Sequence, residues 1–322
     1  MRNKMETAEP EMTGPEGGLL GRSLDQPVVL LLMVGTLLAV VTVFAKAAPQ
    51  IGWHPLGLLQ WSVLGGALIL YTVSRMRPFA GRADTQVSGV YRSHAFWLYL
   101  AVSGVLFILP NMIAAVAAPI VGAGFVSLSF AFPLVLTYAF AVGLGIERFQ
   151  MMRAAGVLSG LAGGVLLAVS GADLSGEAGL WSLVALSIPV FLAIGNIYRT
   201  VKWPEGARPV DLAIGMMLVG AAALFVFNVV RGVPMVPEAW TPDALLLVAA
   251  QIAVFSFQYA LYFRLQQTAG PVYLSQIGSV AAVTGLGLGY AVFGETPDLP
   301  KLAAVVAVGA GIVLVTLGKR YS

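Results

Sequence analysis

The chain has 322 residues, 58% of them hydrophobic and 10% charged, with a mean hydropathy of +0.87 and a formal net charge of +3. A soluble domain carries roughly 25% charged residues, so a water-coated globular enzyme is excluded, as are disordered and fibrous chains. There is no cysteine, hence no disulfide framework, thiolate metal site or cysteine nucleophile, and no run of Lys and Arg is long enough to form a nucleic-acid surface.

Residues 1–26 are polar and mixed in charge, unlike the basic start of a signal peptide, and read as a disordered tail. A bilayer core of about 30 Å needs roughly 20 apolar residues per helix. Ten stretches qualify, at 27–47, 55–74, 94–112, 119–145, 154–171, 179–200, 209–230, 243–264, 269–294 and 301–318. They are too continuously apolar to be barrel strands, which alternate. With the N-terminus in the cytoplasm, ten crossings place 15 of the 18 Lys and Arg inside, leaving Lys46, Arg231 and Lys301 outside. That bias is the positive-inside rule and puts both termini in the cytoplasm. Trp53 and Trp240 fall at the outer boundary, Trp97 and Trp203 at the inner one.

The fourth stretch leaves the membrane through Gly145-Ile146-Glu147-Arg148 and the ninth through Gly294-Glu295-Thr296. Glu147 and Glu295 are 148 residues apart, and the same offset maps Ser127 on Ser275, Val135 on Val283 and Gly163 on Gly311. Each half then has five helices. Five is odd, so the second half enters the membrane upside down, the pattern of inverted-repeat carriers. The expected fold class is an all-α integral membrane protein of ten transmembrane helices in two inverted five-helix repeats, 27–171 and 179–318.

Five-helix halves with a Gly-x-Glu or Gly-Glu exit and a Gly-rich closing helix resemble the EamA domain of the drug/metabolite transporter superfamily. The first half carries the fuller signature, with Pro133, Leu144-Gly145-Ile146-Glu147-Arg148, Gly156, Gly160 and Gly163. The second half has Ala281 where the offset expects proline, and Thr296 follows its Glu. Trp61 stands where many members carry Arg. The resemblance implies a transporter of the bacterial inner membrane, more often an exporter, and leaves the solute open among amino acids, drugs, nucleotide precursors and other metabolites.

Polar side chains inside the spans are few, and each must face another helix or a water-filled cavity. Gln251, Phe255, Gln258 and Tyr262 share one face of helix eight. Asn196 follows Pro189 in helix six, and Asn111 ends helix three. Ser127 precedes Pro133 and Tyr138 in helix four, while Ser275, Gln276 and Tyr290 lie in helix nine. Trp61 is in helix two. Pro133 breaks the backbone ladder mid-helix and marks a kink or a cavity wall. Together these residues outline a candidate substrate path, and their neutrality suits a zwitterionic or amphipathic solute. Lys46 is a candidate gate or an interfacial anchor. Glu147 and Glu295, at opposite faces, are candidate gates or helix caps. No Lys or Arg is expected at mid-span.

Enzyme readings fail on inventory. The two histidines, His54 and His94, lie at opposite membrane faces, and there is no zinc helix or Walker loop. Gly285-Leu286-Gly287-Leu288-Gly289 has no strand before it, so it is not a nucleotide loop. No cofactor or metal is expected. Gly156-x-x-x-Gly160-x-x-x-Gly164 lets helix five pack closely, and helices five and ten read as peripheral, offered to a second copy in a homodimer. The partners expected are a small-molecule solute and the lipid bilayer. The function expected is a secondary transporter exporting a small organic metabolite. The rivals are a flippase for a lipid or lipid-linked sugar and a non-transporting sensor or assembly protein.

Overall fold

The computed structural model describes residues 26–76, 90–145, 148–170, 177–296 and 299–318. These are helical, with no strand among them: α1 (Pro27–Ala47), a 3-10 turn (Ala48–Ile51), α2 (Pro55–Met76), α3 (His94–Val121), α4 (Ala123–Ser129), α5 (Pro133–Gly143), α6 (Met151–Ser170), α7 (Glu177–Ala185), α8 (Ile188–Val201), α9 (Pro209–Arg231), α10 (Pro242–Leu274), α11 (Ile277–Phe293) and α12 (Leu299–Gly318). Among the described residues seven segments are long and apolar enough to cross a membrane: 27–51, 55–76, 94–121, 123–143, 177–201, 209–231 and 242–267. The protein is therefore a multi-pass membrane protein. Residues 277–293 and 302–311 are apolar but shorter.

Several boundaries differ from the sequence reading, and prolines explain most of them. The helix expected to stop at 112 runs to Val121, with Pro110 and Pro119 inside it, and ends at Gly122 in a conformation with φ of 96°. The ninth segment was expected to begin at 269. Instead α10 runs on to Leu274, and α11 begins only at Ile277. Pro133 and Pro189 do not kink continuous helices. Each sits in the first turn of a new helix, after breaks at 130–132 and 186–187. Proline there lacks only an N–H that would have no helical partner anyway.

The two Gly-rich helices, α6 and α12, are neighbours at the edge of the bundle, and Leu158 and Val306 on them are exposed. α6 and α12 pack along one another. A Cβ on Gly311 would stand 2.7 Å from the Gly156 carbonyl and 2.9 Å from the Gly160 amide, and a Cβ on Gly163 would stand 3.1 Å from the Ala304 carbonyl and 2.8 Å from Val308. Ser159 donates to the Ala307 carbonyl at 2.8 Å. Small residues permit this approach, and dispersion holds it. These contacts are reciprocal under the 148-residue offset, since 156 maps on 304, 159 on 307, 160 on 308 and 163 on 311. The same holds nearer the centre. Ser127 Oγ fills the space beside Gly285, 2.1 Å from where its Cβ would be, and Ser275 hydrogen-bonds Thr137 at 3.0 Å, with 127 mapping on 275 and 137 on 285.

The tightest crossing is between the break after α4 and the start of α11. A Cβ at Gly278 would fall 1.4 Å from the Phe130 carbonyl oxygen, a backbone atom that cannot swing aside. Gly287, nine residues along the same helix, meets nothing within 4 Å. Gly278→Ala is expected to lower the melting temperature of the detergent-solubilised protein by the cost of overpacking, about 1–3 kcal/mol. Gly287→Ala should leave it unchanged or raise it slightly, as replacing a helical glycine does. Equal melting of the two variants would contradict this crossing.

Candidate functional site

A cavity of about 70 Å³ sits at that crossing, among α1, α3, the α4–α5 break, α8, α9, α10 and the α10–α11 break. By the space a buried water needs, it holds about five waters or a small solute. Six residues expected on the path line it: Asn111, Pro133, Asn196, Gln258, Tyr262 and Ser275. Its apolar wall is built from Val34, Leu38, Phe107, Phe130, Leu192, Met216 and Leu274, with Tyr259 beside them.

The breaks explain why the cavity lies here. Pro110 supplies no N–H to the Leu106 carbonyl one turn back, and Asn111 Nδ2 donates to the neighbouring Phe107 carbonyl at 2.7 Å. At 130–132 the amides tighten onto the carbonyls of Ser127, Leu128 and Ser129, three residues back, and such irregular backbone at 130–132 and 275–276 is tolerated only inside protein or beside a cavity. The polar side chains follow helical spacing. Leu192, Asn196 and Arg199 form one stripe of α8, and Gln258 and Tyr262 one stripe of α10.

Arg199, in the last turn of α8, brings a cation to the cavity wall. Counted by sequence among the cytoplasmic charges, it is 3% exposed and lines the cavity. Its Nη2 donates to Asn196 Oδ1 at 3.0 Å and to the Tyr262 hydroxyl at 2.9 Å. Tyr262 donates to Asn196 Oδ1 at 2.8 Å. Asn196 Nδ2 donates to Ser275 Oγ at 3.3 Å, and Ser275 donates on to Thr137. This chain of neutral groups joins α8, α10, the α10–α11 break and α5. The signal for Arg199 was its position one turn after Asn196. Tyr259 and Phe107, which meet edge to face at 4.9 Å, gave no signal beyond ordinary apolar periodicity.

The other expected path residues lie elsewhere. Trp61 is 42% exposed, and its indole donates to the Met235 carbonyl at 2.6 Å. Tyr290 is 62% exposed. Gln251 is buried in α10 away from the cavity wall, and Gln276 is in the α10–α11 break. Tyr138 lies under the Arg153 guanidinium, 4.0 Å from ring centroid to Cζ, and its hydroxyl accepts the Gln150 amide at 3.0 Å. Ser127 is buried against Thr42, with 2.7 Å between the hydroxyl oxygens.

Lys46 and Glu295 form an ion pair at one end of the molecule. The Glu295 carboxylate also accepts the amides of Ala123 and Gly124, both at 2.9 Å, at the positive end of α4. Lys46 lies 4.5 Å from the Phe293 ring centroid. Side chains at Gly124 and Gly289 would collide with the carboxylate, so these glycines shape its cradle. Glu147, the other expected gate, lies outside the described residues. A hollow of about 290 Å³ surrounds the ion pair. Between it and the central cavity the chain is packed. Along α1, the cavity residues Val34 and Leu38 precede Thr42, then Lys46. Along α4, Gly124 precedes Ser127, then Phe130. Along α11, Gly278 precedes Val280 and Gly285. Gly35 meets Val280 and Gly285 meets Ser127 with no room for a Cβ. The ion pair and this packing close the Lys46 end.

Burial raises the Glu295 carboxyl, but Lys46 and the Gly124 and Ala123 amides outweigh it and hold the group below its ordinary 4.5. A carboxyl depressed in the folded state stabilises above its unfolded value, and that stabilisation is lost as pH falls through the folded value. The latch is therefore expected to stay charged between about pH 5.5 and 8 and to fail only in stronger acid. The natural chain lacks cysteine, so Leu286→Cys can be labelled cleanly in membranes. Labelling by a membrane-impermeant maleimide should be slow and flat across that pH range, and several-fold faster in Glu295→Gln. Equal rates in both would mean that the pair holds nothing shut.

Residues 179–317 match the EamA-like transporter family, so this part of the chain is an EamA domain. A crystal structure of another protein superposes with a TM-score of 0.62 at 16% identity, spanning 90% of this chain and 97% of its own. That likeness is one of fold. No curated protein matches the chain. The match over residues 179–317 and the membrane-length helices support a membrane transporter of the drug/metabolite type.

Proposed function

We propose that this chain, an EamA-domain protein through residues 179–317, is a ten-helix secondary transporter that moves a small organic solute by alternating access. In this reading the halves 27–171 and 179–318 are inverted repeats in the bacterial inner membrane, with both termini cytoplasmic and export the direction of transport. The reciprocal contacts under the 148-residue offset support the two halves: a duplication inverted in the membrane relates them by a pseudo-twofold axis, and contacts across such an axis come in exchanged pairs.

One observation carries the reading. The central cavity is sealed toward one membrane face by consecutive layers on α1, α4 and α11, and the outermost layer is an ion pair joining the two halves. A carrier needs a site that reaches one face at a time. A sensor or assembly protein needs neither the cavity nor the latch. The rocking motion would break Lys46–Glu295 and the Thr42–Ser127 contact and form new contacts at the opposite face.

The purified protein in liposomes, loaded with radiolabelled amino acids, nucleosides, quaternary amines and small carboxylates, is expected to move one of these classes faster than empty liposomes. Asn196→Ala, which strips the buried polar network of one member, should cut that flux by about tenfold or more, and Gln258→Ala, which removes a polar group from the cavity wall, should also lower it. Trp61→Ala, outside the cavity, should not. No flux in any class, or full flux in both cavity variants, would refute the proposal.

A further inference from the structure

We infer that the cavity binds a small organic carboxylate with an apolar body, and that Arg199 is the residue that takes the carboxylate. The inference rests on the carrier reading and names the solute class of that same site.

Arg199 is a buried cation whose hydrogen-bond partners, Asn196 and Tyr262, are neutral. Nη2 is committed to Asn196 and Tyr262, and no carboxylate among the described residues pairs with the side chain. Among the described residues its Nε has no hydrogen-bond partner either, and that atom is enclosed by protein. A buried guanidinium that lacks a counter-ion pays a desolvation cost which dipoles alone offset poorly. Such a group persists where an anion arrives in service. The contrast with Lys46 is within the same molecule, since there the cation has its own glutamate.

The surroundings narrow the anion. Tyr262 stands 5.5 Å from the guanidinium carbon with its ring, and with Asn196 it fixes the plane of the fork. With both Nη2 protons committed, Nη1 is the nitrogen left to donate a charged hydrogen bond to one carboxylate oxygen. A single cation, with no second Lys or Arg on the cavity wall among the described residues, fits one negative charge and not a phosphate dianion or a dicarboxylate. Leu38, Phe107, Leu192 and Met216 complete a wall suited to a hydrocarbon body. Gly195 makes room for the guanidinium: a Cβ there would stand 2.9 Å from Nη1 and 3.1 Å from Nη2.

The test is thermal-shift titration of the full-length protein in detergent with 4-methylpentanoate, L-leucine, leucinamide and tetraphenylphosphonium. A ligand that binds only the folded state raises the melting temperature with occupancy. The expected result is a rise with 4-methylpentanoate and leucine and none with leucinamide, the neutral-headgroup analogue. Arg199→Gln should weaken carboxylate binding by about 10- to 100-fold, the worth of a charged hydrogen bond, and Arg199→Lys should recover part of it. A purely structural arginine would lower the ligand-free melting temperature when removed. Loss of an unpaired buried charge should leave that temperature unchanged or raised. Gly195→Ala displaces the guanidinium without deleting it and should weaken binding too. Equal stabilisation by leucine and leucinamide, or unchanged affinity in Arg199→Gln and Gly195→Ala, overturns the inference while leaving a carrier for another solute. Silence from every probe, with no flux in liposomes, overturns both.

Discussion

The architecture depends on where a membrane protein can afford to break a helix. In a bilayer every backbone N–H and C=O needs an internal partner, so unwound backbone survives only inside protein or against a water-filled space. This chain places two breaks, at 130–132 and 275–276, at one crossing, where Gly278 lies against the Phe130 carbonyl. Pro133 restarts one helix, and the absence of a side chain at 278 lets the other come within backbone distance. The cavity, its wall of neighbouring helices and the network from Arg199 to Thr137 follow from that crossing. The α6–α12 pair lies outside it and is held by the close approach of glycines.

Two cations in this protein meet opposite fates. Lys46 has a carboxylate, two helix-terminal amides oriented on that carboxylate, and an aromatic ring. Its pairing is complete, which suits a latch. Arg199 has an amide and a phenol, and no carboxylate among the described residues. In the low dielectric of the membrane interior such incompleteness is expensive, and the inference of an anionic solute draws on that difference. The carrier reading needs both: a seal that opens and a site that waits.

Much of this was legible in the sequence, and what was not has physical causes. Apolar length and the scarcity of charge identify a membrane protein, and helical spacing puts Asn196, Gln258 and Tyr262 on faces that do converge. Glu295 was marked by its place after Gly294, but its partner Lys46 is 249 residues away, and no local pattern encodes such a pairing. Arg199 was read as a loop charge because it lies near the end of an apolar run. Only packing reveals that the last turns of α8 are buried. Trp61 and Tyr290 were included for residue type alone, and type does not say which side of a helix faces lipid. Pro110 lies near the end of the apolar stretch read as 94–112, yet α3 continues for three turns beyond it.

The central claim is that the Lys46–Glu295 latch must open for solute to cross. The most direct measurement replaces both residues by cysteine in this naturally cysteine-free chain and follows flux in liposomes before and after bridging with a short bifunctional thiol reagent. A cleavable reagent allows the bridge to be reversed. The account predicts that bridging stops flux, that cleaving the bridge restores it, and that either single-cysteine variant is indifferent to the reagent. Flux that continues undiminished through a fully bridged latch would contradict it.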